Sequence, residues 1–184
     1  MAEIGNVEQI KILLLAGAEK DTQDSFGDNP LHKAALHGHK SAVQIILAAG
    51  IDKDLKNKSA DTPLHIATSG GHLKTVQTLL DAGANKEAKN QYDKTPLHLA
   101  AWNNHLSVVE ILLSDGANKE AIDKFNKTPL HDASMNGYES IVKVLLASNV
   151  EKNARDIFNR TPLQMAKRNK QKKIVALLQS YDAR

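Results

Sequence analysis

Apolar residues recur along this chain in short clusters at helical spacing, and the clusters return at a fixed interval. Val76, Leu79 and Leu80 form one set, and Val109, Leu112 and Leu113 form the next. The i, i+3, i+4 spacing predicts an amphipathic helix in each place. Each stretch stops at a glycine, Gly50, Gly83 or Gly116, with Asn149 in the same slot further on. A residue without Cβ closes a helix there by turning left-handed, and Asn serves second best. Ahead of each outer helix lies a shorter apolar group. Leu97, Ala100 and Ala101 fall on one face, where small alanines permit close helix approach. The pattern therefore predicts pairs of short helices, an inner one of about eight residues and an outer one, joined by turns such as Gly71-His72.

The inner helices carry their own start signal. Asn29-Pro-Leu-His32, Thr62-Pro-Leu-His65, Thr95-Pro-Leu-His98, Thr128-Pro-Leu-His131 and Thr161-Pro-Leu-Gln164 each begin 33 residues after the last, without insertion. Thr or Asn accepts a hydrogen bond from an otherwise orphaned backbone N–H, and Pro suits the first helical position because it has no N–H to satisfy. Ala34, Ala67, Ala100, Ala133 and Ala166 keep the same register, as do Lys20, Lys53, Lys86, Lys119 and Lys152. Between each closing glycine and the next Thr-Pro runs a polar stretch such as Ala84 to Lys94, too long for a simple helix connection and predicted to project as a hairpin. Helices this short are marginal alone, so each pair must bury its apolar face on its neighbours and the stack is the folding unit.

The 33-residue period, the Thr-Pro-Leu-His motif, the paired helices and the Gly-Ala-Asn loop resemble the ankyrin repeat family over essentially the whole chain. The resemblance implies an all-α solenoid of stacked antiparallel helix pairs with β-hairpin-like loops, a single domain over residues 1–184. Within it, full repeats are expected over 24–56, 57–89, 90–122 and 123–155, and a C-terminal capping repeat over 156–184. Residues 1–23 are expected as an N-terminal half-repeat, since Gly5 stands where Gly38 does and Gly17 where Gly50 does. The first inner helix is almost missing, as in a chain that starts inside a longer array.

Composition narrows the classes. With 41% hydrophobic and 24% charged residues the chain has enough apolar content for a core. No run approaches the roughly 18 apolar residues of a membrane span, and no basic segment precedes an apolar block at the start, so neither membrane insertion nor secretion is expected. There is no cysteine, so disulfides are excluded and a zinc site would need His and carboxylates alone. Glycosylation acceptor patterns begin at Asn57, Asn126 and Asn159, but Thr128 and Thr161 in two of them are helix caps. From Lys152 onward nine Lys and Arg face only Asp156 and Asp182, whereas the net charge of the whole chain is +3. That basic end reads as a solvated cap; without a recognised motif, nucleic acid is not an expected partner.

No catalytic site, metal site or cofactor is expected. His32, His65, His98 and His131 occupy one slot in successive repeats. Stacked helices lie about 8–10 Å apart, whereas zinc–nitrogen bonds are about 2 Å, so these imidazoles cannot share an ion. The resemblance makes them structural ties between hairpins. His39, His72 and His105 form a second ladder at the turn. A nucleophile elbow, a P-loop and a dinucleotide fingerprint are all missing, and Gly70-Gly71 belongs to a helix–helix turn. The Lys slot is followed by Asp21, Asp54, Glu87 or Glu120, read as a charge ladder worth little per pair.

What remains is binding. The resemblance places partner contact on the hairpin tips and the exposed side of the inner helices. Candidate partner-binding residues are then Phe26, Asp28, Leu36, His37, Gln91, Tyr92, Lys94, Trp102, Asn103, Phe125, Lys127, Met135, Asn136, Phe158 and Arg160. Ser25, Lys58, Ser59, Asp61, Ser69, Gly70, Lys124, Ile157, Arg168 and Asn169 complete the second, third, fifth, thirteenth and fourteenth positions of the five repeats. Five of the seven aromatic residues fall on these 25 positions of 184, where chance would put about one. Exposed aromatics are typical interface anchors, although at the third position of a repeat they can instead pack on the neighbouring hairpin. The expected function is a non-enzymatic protein-interaction module that binds another protein as a monomer, without a small-molecule substrate. An intracellular, cytoplasmic setting fits, and nuclear or host-secreted placement fits the same observations. Alternatives are an engineered binder, or a targeting or scaffold segment of a larger protein or bacterial effector. An engineered framework would be uniform, but here Gln44, Gln77, Glu110 and Lys143 vary at one slot.

Overall fold

The computed structural model describes residues 22–182. The chain forms two compact units, Met1–Gln91 and Tyr92–Arg184. Ten α-helices and no strand occur among the described residues. The half-repeat expected over 1–23 lies outside them, apart from Thr22 and Gln23. The first unit holds α1 (Pro30–Leu36), α2 (Lys40–Ala48), α3 (Pro63–Ser69) and α4 (Leu73–Asp81). The second holds α5 (Pro96–Trp102), α6 (Leu106–Ser114), α7 (Pro129–Asn136), α8 (Glu139–Ala147), α9 (Pro162–Arg168) and α10 (Lys172–Asp182).

Within each unit an inner helix packs on its own outer helix and on the next inner helix. In the first unit α1 packs on α2 and α3, α3 on α4, and α2 on α4. In the second, α5, α7 and α9 form the inner row and α6, α8 and α10 the outer one. The core follows the registers read from the sequence: Leu31, Leu64, Leu97 and Leu130 are buried on the inner helices, and Val43, Val76, Val109 and Val142 on the outer ones. Leu113 departs from its expected role, being only half-buried while Val108 turns inward. At Val108's slot the first unit carries Thr75, fully buried with a hydroxyl that has no hydrogen-bond partner.

Each inner helix starts as the Thr-Pro signal predicts. Thr62 is extended, its hydroxyl accepts from the His65 N–H, and Pro63 takes the first turn. His65 Nδ1 in turn accepts from the Thr62 N–H at 3.2 Å. His98 and His131 serve Thr95 and Thr128 likewise, so imidazole fills the returning half of a capping box usually made by Glu or Gln. Because Nδ1 accepts, the proton sits on Nε2, which reaches the next loop. His32 Nε2 donates to the Asp61 carbonyl at 3.0 Å, His98 to Lys127 at 2.9 Å and His131 to Arg160 at 3.1 Å.

The outer helices close as expected, with Gly50, Gly83, Gly116 and Asn149 all at positive φ. Two further left-handed registers carry no common residue type. One is the turn between paired helices, at Gly38, Gly71, Asn104, Gly137 and Lys170; the other is the loop tip, at Gly27, Ala60, Asp93, Asn126 and Asn159. The expected hairpin is a tight turn without a strand. Asp123 N–H donates to the Lys127 carbonyl, Asn126 N–H returns to Asp123 O, and Asp123 Oδ1 accepts from the N–H groups of Phe125 and Lys127. Asp24, Asn57 and Asp156 anchor their tips in the same way.

The charge ladder is more structural than its sequence reading. Asp54 accepts from the Asn85 N–H at 2.8 Å and Glu120 from the Glu151 N–H at 2.8 Å, so these carboxylates satisfy backbone donors of the following loop. Lys119 donates to the Ser148 carbonyl at the end of α8, and Lys152 to Tyr181 O in the last turn of α10, where a cation also suits the helix dipole. The turn ladder links repeats as well: His72 Nε2 donates to Leu36 O, and Gln171 Nε2 to Met135 O.

Candidate functional site

The tip of each loop lifts its third residue away from the stack, because the Asx anchor and the left-handed fourth residue reverse the chain around it. Phe26, Tyr92, Phe125 and Phe158 are 68%, 51%, 40% and 64% exposed, and Trp102, at the end of α5, is 39% exposed. Aromatics packed wholly into a neighbouring hairpin would be covered; Phe26 and Phe158 are mostly open, whereas Phe125 and Trp102 are more than half covered. Each of four aromatic rings carries a cation on its face. Lys33 lies 5.7 Å from the Phe26 centroid, Lys94 4.9 Å from Trp102, Lys127 5.4 Å from Phe125 and Arg160 4.5 Å from Phe158.

In the second unit this pattern condenses into a cluster. Lys127 lies over Trp102 as well, at 5.9 Å, so Trp102 and Phe125 share one ammonium group. Beneath them is Asp132, in the first turn of α7 and without exposed surface. Its Oδ2 accepts from Lys94 Nζ at 2.6 Å, and its Oδ1 lies 4.0 Å from Lys127 Nζ. Asp123 Oδ2 stands 3.7 Å from Lys94 Nζ. Burial pushes the Asp132 carboxyl above the ordinary carboxylate range, against the pull of Lys94 and Lys127, and neighbouring Asp123 adds to the rise. Two ammonium groups from successive tips are thereby fixed over two rings by one buried carboxylate.

The remaining candidates are placed separately. Asp28 accepts from Asn57 Nδ2 at 2.8 Å and pairs with Lys33 at 3.2 Å, so it ties two tips together. Leu36 is exposed and its carbonyl receives His72; His37 is exposed and stacks on His39 at 5.7 Å. Gln91 is exposed at the end of the first unit, and its N–H donates to Ser59 O. In the second unit the Tyr92 carbonyl accepts from the Lys124 N–H. Asn103 ends α5, and Met135 and Asn136 are half-buried on α7, Asn136 donating to Asp132 O at 3.0 Å. Arg160 binds Asp156 at 2.6 Å as well as covering Phe158. Burial works upward on Asp156, but Arg160 and two backbone donors bring it below the usual range.

Sequence reading missed Asp123 and Asp132. The signal was present at Asp132, because the other repeats carry Lys33, Ile66, Leu99 and Met165 in that slot. Among the described residues no group of His, Asp and Glu is close enough to hold a metal ion, and no helix is long and apolar enough to cross a membrane.

No curated protein matches this chain. The family model described as ankyrin repeats (3 copies) matches residues 1–90, 43–123, 82–156 and 116–184. Those overlapping matches run from end to end, and the helix pairs, capping boxes and His ties keep the register they require: the chain belongs to the ankyrin repeat family.

Proposed function

We propose that this protein is a non-enzymatic interaction module that binds a partner protein through the tips and inner helices of its second unit, centred on Trp102 and Phe125. Ankyrin repeats are generally protein-interaction modules; the groove on this chain is our reading. Repeats over 24–56, 57–89, 90–122 and 123–155 and a cap over 156–184 supply the frame, acting as a monomer inside the cell.

The observation that carries the reading is the cluster of Lys94, Trp102, Phe125, Lys127 and Asp132. It places two exposed aromatics and two immobilised cations side by side. A rigid aromatic offers contact area with little entropy left to lose, and interface hot spots favour such groups. Trp102 and Phe125 keep about two-fifths of their surface in water, which folding alone does not call for.

Affinity purification with mass spectrometry, using the wild-type chain and a Trp102→Ala/Phe125→Ala variant, tests the reading. The partner should be captured by the first and lost from the second, with the melting temperature of the variant within about 4 °C of wild type. A partner retained at full strength by the variant would reject this groove. Leu97→Ala is the contrast, since removing a buried core side chain costs about 2–5 kcal/mol.

A further inference from the structure

Resting on that reading of the groove, we infer that its partner segment is acidic and extended, with a carboxylate about every third residue and apolar side chains between. The three tips of the second unit share a pattern absent from the first. Their third residues are Tyr92, Phe125 and Phe158, and their fifth are Lys94, Lys127 and Arg160. In the first unit the fifth residues are Asp28 and Asp61.

The sign of the surface follows from depth. Asp123, Asp132 and Asp156 are 3%, 0% and 4% exposed, beneath the cations they hold. Lys94, Lys127 and Arg160 lie above them, part-exposed, and Lys124, Lys167 and Arg168 are exposed on the tip and on α9. Such a layer, negative below and positive above except for exposed Asp93 on the first of these tips, presents a net positive potential to an approaching chain, because the buried charges are farther away and the outer ones face water. Lys127 has capacity to spare. Its ammonium touches two rings and stands 4.0 Å from Asp132, with no hydrogen-bonded acceptor among the described residues. A partner carboxylate can take those N–H groups without displacing anything.

Spacing sets the form of the segment. Neighbouring stacked helices lie about 10 Å apart, and a polyproline II chain rises about 3.1 Å per residue with three residues per turn, so one tip corresponds to three residues and every third side chain faces the same way. The apolar side chains between the acids then meet Tyr92, Phe125 and Phe158. A single-stranded nucleic acid would also combine charge with stacking. However, it favours a groove that is positive all along its backbone, whereas the fifth position of the tips is cationic only at Lys94, Lys127 and Arg160 and is Asp28 and Asp61 in the first unit.

The test is selection of random twelve-residue displayed peptides on the full chain, followed by affinity measurement from the fluorescence anisotropy of labelled peptides, a signal that survives the removal of Trp102, the single tryptophan. Peptides that lose binding to Trp102→Ala/Phe125→Ala should be enriched in Asp and Glu at intervals of three. The best of them should bind at least tenfold more weakly when its acids become Gln, and again to Lys127→Gln/Arg160→Gln, whose far-ultraviolet circular dichroism should match wild type. Trp102-dependent peptides that are neutral or basic overturn the inference and leave the groove reading standing. Selected peptides that bind the Trp102→Ala/Phe125→Ala variant undiminished overturn both, as does a selection that yields no binder. A twelve-nucleotide oligouridylate that binds more tightly than the best peptide also overturns the inference, in favour of a nucleic-acid surface.

Discussion

Lys94 Nζ stands 2.6 Å from Asp132 Oδ2, and the carboxylate it holds has no exposed surface. Removing one member of a buried pair leaves the other charge uncompensated, whereas replacing the buried acid by an apolar residue removes the need for a partner. Lys94→Ala takes away the shorter of the two pairs and leaves Lys127 at 4.0 Å, so it should destabilise the chain by about 1–3 kcal/mol. Asp132→Leu, which copies the Leu99 type of side chain, should be neutral or stabilising, because both lysines can turn to water. Urea unfolding of the two variants measures the asymmetry; equal losses would contradict it.

His131 predicts a dependence on acid. Burial holds its imidazole below the ordinary histidine range, and His32 is lowered for the same reason. A group depressed in the folded state stabilises fully above its unfolded value, near 6.5, and that stability is lost as pH falls through the folded value. The urea midpoint should therefore fall from pH 7 toward pH 5. Asp132, raised by burial, works in the opposite sense. Gln164 already fills the histidine slot in the last repeat, accepting from the Thr161 N–H at 2.9 Å. His131→Gln should keep that cap bond, lose about 1 kcal/mol at pH 7 with the Arg160 link, and flatten the acid slope.

Asn29 is a poorer cap than the threonines in its slot. Its Oδ1 accepts from the His32 N–H but also faces His32 Nδ1 at 2.7 Å, while its Nδ2 is buried and unpartnered. A hydroxyl accepts and donates at one atom, and Thr62 and Thr95 bring theirs 2.9 Å from the imidazole nitrogen. Asn29→Thr should raise stability by about 1 kcal/mol, read as an upward shift in urea midpoint at constant m.

Thr75 offers a second gain by a different route. Its hydroxyl is buried without a partner where other repeats place Ala42, Val108, Ile141 and Ile174. Thr75→Val keeps the shape, removes an unsatisfied polar group and should stabilise by about 1–2 kcal/mol. No change in calorimetric unfolding would mean that the hydroxyl is hydrated in solution.

Ala60 sits at φ +57° on its loop tip, where Gly27 and Asn126 serve in other repeats. A left-handed Cβ costs roughly 1–2 kcal/mol, offset in part by the greater freedom of glycine when unfolded. Ala60→Gly should raise stability by about 0.5 kcal/mol, and Ala60→Val should lower it. Differential scanning calorimetry of the pair gives the sign.

What could be read in advance was local. A Thr-Pro cap acts over three residues and an apolar face over four, so the starts of α3, α5 and α7 and the burial of Leu64, Leu97 and Leu130 were legible. Asp132 was not, because what makes a lone acid tolerable at its slot is Lys94, 38 residues away. The left-handed tips were hidden for another reason: Gly27, Ala60, Asp93 and Asn159 share a backbone angle without sharing a side chain. The Lys53–Asp54 pair of the charge ladder is present at 3.7 Å, but the links of Asp54 and Glu120 to the following loop stay hidden because they are made to backbone N–H groups, which leave no mark in a sequence. Exposure of the tip aromatics was expected; the cations that sit on them were not.

Those links have a consequence for how such a chain arises. His32, His98, His131, Asp54, Lys119 and Glu120 each reach the next repeat with a side chain and are met there by a carbonyl or an amide. Half of every such joint is therefore supplied by any residue except, for the amides, proline. A copied stretch of 33 residues brings the other half with it and can be joined at once, before a single compensating substitution. The tips of the new copy are then free to diverge, because the joint constrains their main chain and leaves their side chains to selection.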